Sequence, residues 1–343
     1  HDNFFELGGH SLLGMRMMAQ AEQALGCPVP LKWLFQAPTI AGLAARIEQA
    51  DASTPVRLSS RRSPRTHAPT LPALEIDPES RYEPFPLTDI QQAYWLGRSQ
   101  AFELGNIATH GYREIETVGL SAAQVEKALR SLIQRHDMLR VVITPDGEQR
   151  VLPEVPAYTI RVTDLQAVAP DAQHQALAAM RDRLSHEIHD VEQWPLFTIE
   201  AAQLDAGRVR FFVGFDVLIG DAWSFQLLGW ELAQTLQEKV LPPLDLTFRD
   251  YVLAAQAMRQ SPNWQTALAY WQNRLPMLPP APELPLIGAP SRLEQPRFER
   301  RSGQLATAAW ARFKQRASQA GLTPSGALLA AFSEVLALWS RHP

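Results

Sequence analysis

The sequence predicts a mixed α+β protein on three observations: helical periodicity at both ends, apolar alternation between Val209 and Asp216, and a hairpin signal around Pro145, Asp146 and Gly147. Residues 12–25 form an apolar, Met-rich helical pattern ended by Gly26. Thr39 after Pro38 stands where a second helix would be N-capped, running to about Gln49. Residues 51–81 carry Pro55, Pro64, Pro69, Pro72 and Pro78 among Arg57, Arg61, Arg62 and Arg65, a composition that buries no core and predicts an extended linker. Gln124, three residues after Ser121, predicts a capping box, and Val125, Leu129, Leu132 and Ile133 share one face of the helix that follows. Leu139–Thr144 and Gln149–Leu152 flank the hairpin turn, and helices and strands mix from there to residue 240. One helix is predicted from about Phe248 to Leu275, then an irregular Pro-laden crossing. Thr323 and Pro324 open a last helix running to about Ser340.

A chain of 343 residues with 46% hydrophobic content has room for two domains with well-buried cores. A net charge of -4 supplies no basic field, which argues against nucleic acid as a partner. Cys27 is alone, so neither an intrachain disulfide nor a thiolate metal cluster can form; a reducing cytosol suits it, with Cys27 serving as a small apolar residue. The longest apolar stretch, Ala327–Trp339, is too short to span a bilayer, and no signal peptide opens the chain. Starting HDNFFELGG without Met, the chain reads as a segment of something longer.

Residues 213–224, VGFDVLIGDAWS, are the densest in chemistry. Val209, Phe211, Val213 and Phe215 alternate with Arg210, Phe212, Gly214 and Asp216, the period of a half-buried strand, so Asp216 leaves on the face opposite Phe215. Gly220 supplies a turn, Asp221 sits at an N-cap position, and Phe225, Leu228, Leu232 and Leu236 follow at helical spacing. Two carboxylates thus flank one turn, with Ser224 just beyond. Such a pair can divide general-base and general-acid work when its surroundings drive the pKa values apart. Equally, Asp221 can simply cap the helix, Asp216 pair with an Arg behind the strand, and Ser224 belong to the first helical turn. Elsewhere, His136 and Asp137 read as packing and hydrogen bonding. His186, Glu187, His189 and Asp190 lack the HExxH spacing of a metal site and read as a solvated helix end, and no metal ligand set is assigned.

Two sets of motifs carry a resemblance. DNFFELGGHSLL, Asp2–Leu13, resembles the attachment site of peptidyl carrier domains, which implies that Ser11 receives 4'-phosphopantetheine. A phosphoester at a helix N-terminus faces free N–H groups and the positive end of the dipole. His10 beside Ser11 does not form a dyad with it, because neighbours in a chain rarely face one another. PFPLTDIQQAYWLGR at 84–98, RHDMLR at 135–140, FRDYV at 248–252, Tyr270–Trp271 before PAPELPL, and the Asp216, Asp221, Ser224 element resemble heterocyclization domains of nonribosomal peptide synthetases. There the element replaces the HHxxxDG of ordinary condensation domains; Asp216 takes the first His position and Val217 the second.

That resemblance implies a partial peptidyl carrier domain at 1–50, a Pro/Arg-rich linker at 51–81, and a heterocyclization domain at 82–343, incomplete at its C-terminal side. The implied α+β fold is the N-terminal lobe and the start of the second lobe of a chloramphenicol-acetyltransferase-like domain, with a tunnel reached by a carrier arm from each side. The implied reaction joins a carrier-bound Cys, Ser or Thr to an upstream acyl thioester and cyclodehydrates the amide to a thiazoline or oxazoline, with Asp216, Asp221 and Ser224 as catalytic residues. Implied partners are upstream and downstream carrier domains, an adenylation domain, a phosphopantetheinyl transferase, and acyl and Cys/Ser/Thr thioesters, with no nucleic acid and no membrane. The family's dehydration residues would fall beyond Pro343, so this stretch alone is expected to be inactive. Two rival readings are an amide-forming condensation domain, which Val217 opposes, and a non-catalytic unit that docks carriers.

Overall fold

The structure, a computed structural model, describes residues 3–4, 11–25, 27, 29–30, 33–34, 37–53, 74–98, 107–286, 288 and 297–341. The chain divides into two compact units, one of His1–Ala68 with Ala281–Pro285 and Ser302–Pro343, the other of Pro69–Pro280 with Leu286–Arg301.

In the first unit, α1 (Ser11–Leu25) and α2 (Ile40–Ser53) are the two expected helices. Thr39 Oγ1 accepts from the Gly42 N–H at 3.0 Å, the predicted cap, and α2 runs on past Gln49 because no breaker intervenes. Met18, Val29, Leu34 and Leu43 form the small core, with Cys27 partly buried against it. Residues 51–53 of the expected linker finish α2, and residues 54–73 lie outside the described residues, as does Gly26.

The second unit holds β1 (Phe85–Pro86), α3 (Asp89–Leu96), β2 (His110–Val118), α4 (Ala122–Arg135), β3 (Val141–Ile143), β4 (Glu148–Val151), β5 (Arg161–Asp164), α5 (Pro170–Leu184), β6 (Phe197–Gln203), β7 (Arg208–Asp216), α6 (Ala222–Leu236), α7 (Phe248–Ala257) and α8 (Pro262–Arg274). The predicted hairpin forms as β3 and β4, antiparallel, with Gly147 at φ +77°, a conformation that favours glycine. β1 adds to β4, giving a three-stranded sheet. A second sheet has the order β2-β7-β6-β5, antiparallel except for the β6/β5 pair, which α5 joins as a crossover.

Ser121 and Gln124 make the predicted capping box, and Val125, Leu129, Leu132 and Ile133 are buried together on α4. They pack against Phe197, Ile199, Ala201, Val209 and Phe211 of the large sheet. β7 is not half-buried as its alternation suggested. Phe212, on the other face, is fully buried with Leu177, Met180 and Leu184 of α5, because the crossover helix covers that face too. RHDMLR packs and bonds as expected. Arg140, 2% exposed, donates to the carbonyls of Ile133, Gln134 and Leu152 and to Asp137, satisfying carbonyls at the end of α4. His136 and Arg135 meet the buried Glu231 of α6 at 2.6 and 2.9 Å.

The helix expected over 248–275 is two. Met258–Gln260 tighten into a 3₁₀ turn, Ser261 caps α8 by accepting from Trp264 N–H at 3.2 Å, and Pro262 takes its first position. Proline has no N–H to continue the ladder and its ring clashes with the preceding turn. Residues 278–286 are irregular, as predicted. The last helices, α9 (Thr307–Gln319) and α10 (Pro324–Trp339), belong to the first unit; Thr323 caps α10 and Pro324 is its first residue. No residue of α10 is buried, and Leu329, Phe332, Leu338 and Trp339 are exposed by 61–84%. No single helix among the described residues is long and apolar enough to cross a membrane.

Candidate functional site

The corner between β7 and α6 places each candidate residue by ordinary backbone logic. β7 is hydrogen-bonded to β2 and β6 on its two sides, and at its end Asp216 stands opposite His110 of β2. Beyond it the Val217 N–H donates to Thr109 O at 3.1 Å and the Ile219 N–H to Asp216 O at 3.2 Å, closing the turn. Gly220 is required by close approach: a Cβ there would stand 2.9 Å from Ser224 Cβ and 3.6 Å from the Phe225 ring.

Asp216 is 1% exposed. One carboxylate oxygen accepts the Leu218 N–H at 3.0 Å, and the other is ion-paired with Arg98, just past the end of α3. Arg98 also donates to His189 O at 3.0 Å. Burial pushes the Arg98 guanidinium down to about 10, which leaves it charged at neutral pH opposite the Asp216 carboxylate. Asp221 is the N-cap of α6. Its Oδ1 accepts from the Ser224 N–H at 2.8 Å and from Ser224 Oγ at 2.7 Å, while Ser224 Oγ accepts the Asp221 N–H at 3.2 Å. The Ser224 N–H and hydroxyl, with burial opposing them, hold the Asp221 carboxyl below its ordinary range. The structure therefore brings Asp221 and Ser224 into direct contact, while Asp216 is turned into the lobe. A corner built this way has one buried carboxylate that fixes shape and one exposed carboxylate, ionised at neutral pH, that can accept a proton.

A cleft of about 1550 Å³ lies beside this corner, lined among others by Tyr94, Thr109, His110, Glu114, Arg181 and His186, with residues 297–300 along one wall. None of Asp216, Asp221 and Ser224 is among its lining residues. His186 and His189 take separate partners. The His186 ring nitrogens lie 2.7 Å from Asp182 O and 3.0 Å from Phe298 O, and His189 Nε2 lies 2.9 Å from Thr198 Oγ1. The His189 side chain is 8% exposed, so it is not on a solvated helix end: the chain turns back into β6 there and buries the ring. Among the described residues, no group of three His, Cys, Asp or Glu is placed to hold a metal ion.

Sequence reasoning did not single out Arg98 or Gln91 individually. Gln91 donates to Leu218 O, in the turn between Asp216 and Asp221, at 2.8 Å. Both lie in PFPLTDIQQAYWLGR, and membership of that motif was the available signal.

Ser11 opens α1, and no acidic residue occupies the first turn. A phosphoester on Ser11 fits such a position, since the first N–H groups of a helix lack internal partners. When attached there, 4'-phosphopantetheine supplies a terminal thiol that holds acyl groups as thioesters.

Residues 83–343 match the family model described as Condensation domain, and residues 1–47 that described as Phosphopantetheine attachment site. The chain belongs to the condensation-domain family, with a phosphopantetheine attachment region ahead of that domain. Bacitracin synthase 1 of Bacillus licheniformis is 35% identical to it over all of this chain and 6% of its own length. Phenyloxazoline synthase MbtB of Mycobacterium tuberculosis is 36% identical over 75% of this chain and 18% of its own. The cyclization-docking bidomain of the synthetase EpoB from Sorangium cellulosum is 36% identical, with a TM-score of 0.71 over 89% of this chain and 60% of that one. The chain thus spans only a small part of these curated relatives. The fold is that of condensation domains: mixed helix and sheet, related to chloramphenicol acetyltransferase.

Proposed function

We propose that the chain is the carrier–heterocyclization junction of a nonribosomal peptide synthetase, acting in the intact parent protein to make a thiazoline or oxazoline. The observation that carries this reading is the corner itself. Asp216 and Val217 take the two His positions of the amide-forming signature, and residues 213–224 contain no His. Likeness to proteins named for cyclization and for phenyloxazoline synthesis supports it.

In the proposed reaction the amine of a carrier-bound Cys, Ser or Thr attacks the acyl thioester. The C–N bond forms, the C–S bond breaks, and the upstream thiol leaves. The side-chain thiol or hydroxyl then adds to the new amide carbon and loses its proton, and the former carbonyl oxygen leaves as water as C=N forms. Asp221, exposed and ionised, accepts a proton in this scheme; Ser224 orients it, and Asp216 acts through the shape of the corner. Ser11 carries the phosphopantetheine arm of the preceding carrier, installed by a phosphopantetheinyl transferase, and neighbouring carrier and adenylation domains supply the thioesters. The lone Cys27 suits a cytoplasmic location.

The test uses the intact synthetase, with acyl and aminoacyl carriers loaded and product released from the carrier for mass analysis. A product one water lighter than the linear amide is expected. Linear amide alone would make this an ordinary condensation domain, and no product would leave a docking unit. Intact mass after treatment with coenzyme A and a phosphopantetheinyl transferase should rise by one arm, and not in Ser11→Ala.

A further inference from the structure

We infer that Gln91 is a positioning residue for the corner, an assignment that rests on the heterocyclization reading. Gln91 is 5% exposed and Gln149, from β4, is fully buried, so neither side chain reaches a substrate. Their primary amides face each other with reciprocal bonds: Gln91 Nε2 donates to Gln149 Oε1 at 3.0 Å, and Gln149 Nε2 donates to Gln91 Oε1 at 3.1 Å. The remaining capacity is used outward. Gln91 Oε1 accepts the Thr88 N–H and hydroxyl, each at 3.0 Å, and Gln149 Nε2 donates to Pro86 O at 2.9 Å. The second proton of the Gln91 amide goes to Leu218 O at 2.8 Å, 127 positions away in the chain.

Leu218 is the middle of the turn that joins Asp216 to Asp221. Its N–H is held by Asp216 Oδ1, its carbonyl by Gln91, and its side chain is packed with Leu87 and Ile143. The residue cannot rotate without stranding buried polar groups, which is costly in a low-dielectric interior. Because Arg98, just past the end of the same helix, holds Asp216, α3 grips the corner at two points. Gln91 thus fixes the direction in which the turn presents Asp221, without touching the reacting atoms.

Two variants of the intact synthetase separate positioning from bulk stability. Gln91→Met keeps the volume and removes both donors, including the one to Leu218. Gln149→Met breaks the same buried amide pair and leaves the Leu218 bond in place. Well below both melting transitions, Gln91→Met should lower kcat on the order of tenfold with KM for the loaded carrier unchanged, and speed amide exchange in the peptide covering residues 216–221. Gln149→Met should stay within about twofold of wild type in both readouts at a comparable loss of melting temperature. If Gln91→Met does not fold, Gln91→Asn, whose amide is too short to reach Leu218, takes its place. Equal loss in the Gln91 and Gln149 variants, or unchanged exchange in the turn, overturns the assignment. Should the wild-type protein make no heterocycle, the functional reading fails, and the exchange measurement still decides what Gln91 does.

Discussion

Asp216 and Asp221 sit five positions apart on one corner. The first is sealed in the lobe against Arg98 and the Leu218 N–H, while the second is exposed and bonded to Ser224 of its own helical turn. The same residue type therefore has a tertiary role in one half of the corner and a local role in the other. Two consequences differ accordingly: how much each is worth, and whether neighbouring sequence can reveal it. A buried charge depends on its partner, and losing one member leaves the other uncompensated. A cap saves one orphan N–H near solvent.

The largest separation between the halves is expected from Asp216→Asn, which keeps an acceptor for Leu218 but leaves Arg98 unpaired. Denaturant unfolding should show a loss of about 3–5 kcal/mol, and Arg98→Met in the same background should recover much of it. A loss no greater than that of the exposed half would erase the distinction. Next, Gly220→Ala drives a methyl into the first turn of α6 and should cost about 1–3 kcal/mol, read in the same unfolding curves. A neutral result would mean that the turn yields easily and that the two halves are not rigidly joined. Asp221→Ala should cost about 1 kcal/mol, a shift of a few degrees at most in a domain of this size. Heterocycle formation that drops far more than this loss explains would give Asp221 a chemical task beyond capping.

The smallest effect is one of pH. The folded carboxyl of Asp221 titrates below its unfolded value, so its contribution is complete above the ordinary carboxylate range and fades as pH falls through the folded pKa. Asp221→Asn caps without titrating, so the stability of wild type relative to this variant should decline on acidification below about pH 4. A parallel course for the two proteins would show that the local half carries no ionic component.

Legibility follows the same division. The Asp221 cap, the Ser121–Gln124 box, the Thr323–Pro324 start and the Gly147 hairpin were all readable, because each is satisfied within a few residues. Ser261–Pro262 is the same signal as Thr323–Pro324, yet it sits inside a continuous helical pattern, which hid the break between α7 and α8. That Asp216 pairs with an Arg was among the readings of the sequence, but nothing near Asp216 said which Arg, and nothing near Gln91 pointed to Leu218; those pairings exist only once the strands are in register. The second buried face of β7 was equally hidden, since α5 covers it from elsewhere in the chain.

The apolar surface of α10 bears on colloidal behaviour. Leu329, Phe332, Leu338 and Trp339 stand exposed on one sixteen-residue helix. Leu329 and Leu338, nine positions apart, lie on opposite sides of the helix, so apolar surface faces water around it, and large exposed apolar patches favour association. A charged residue at Leu329 or Leu338 is expected to raise the concentration at which this stretch stays dispersed, read by light scattering.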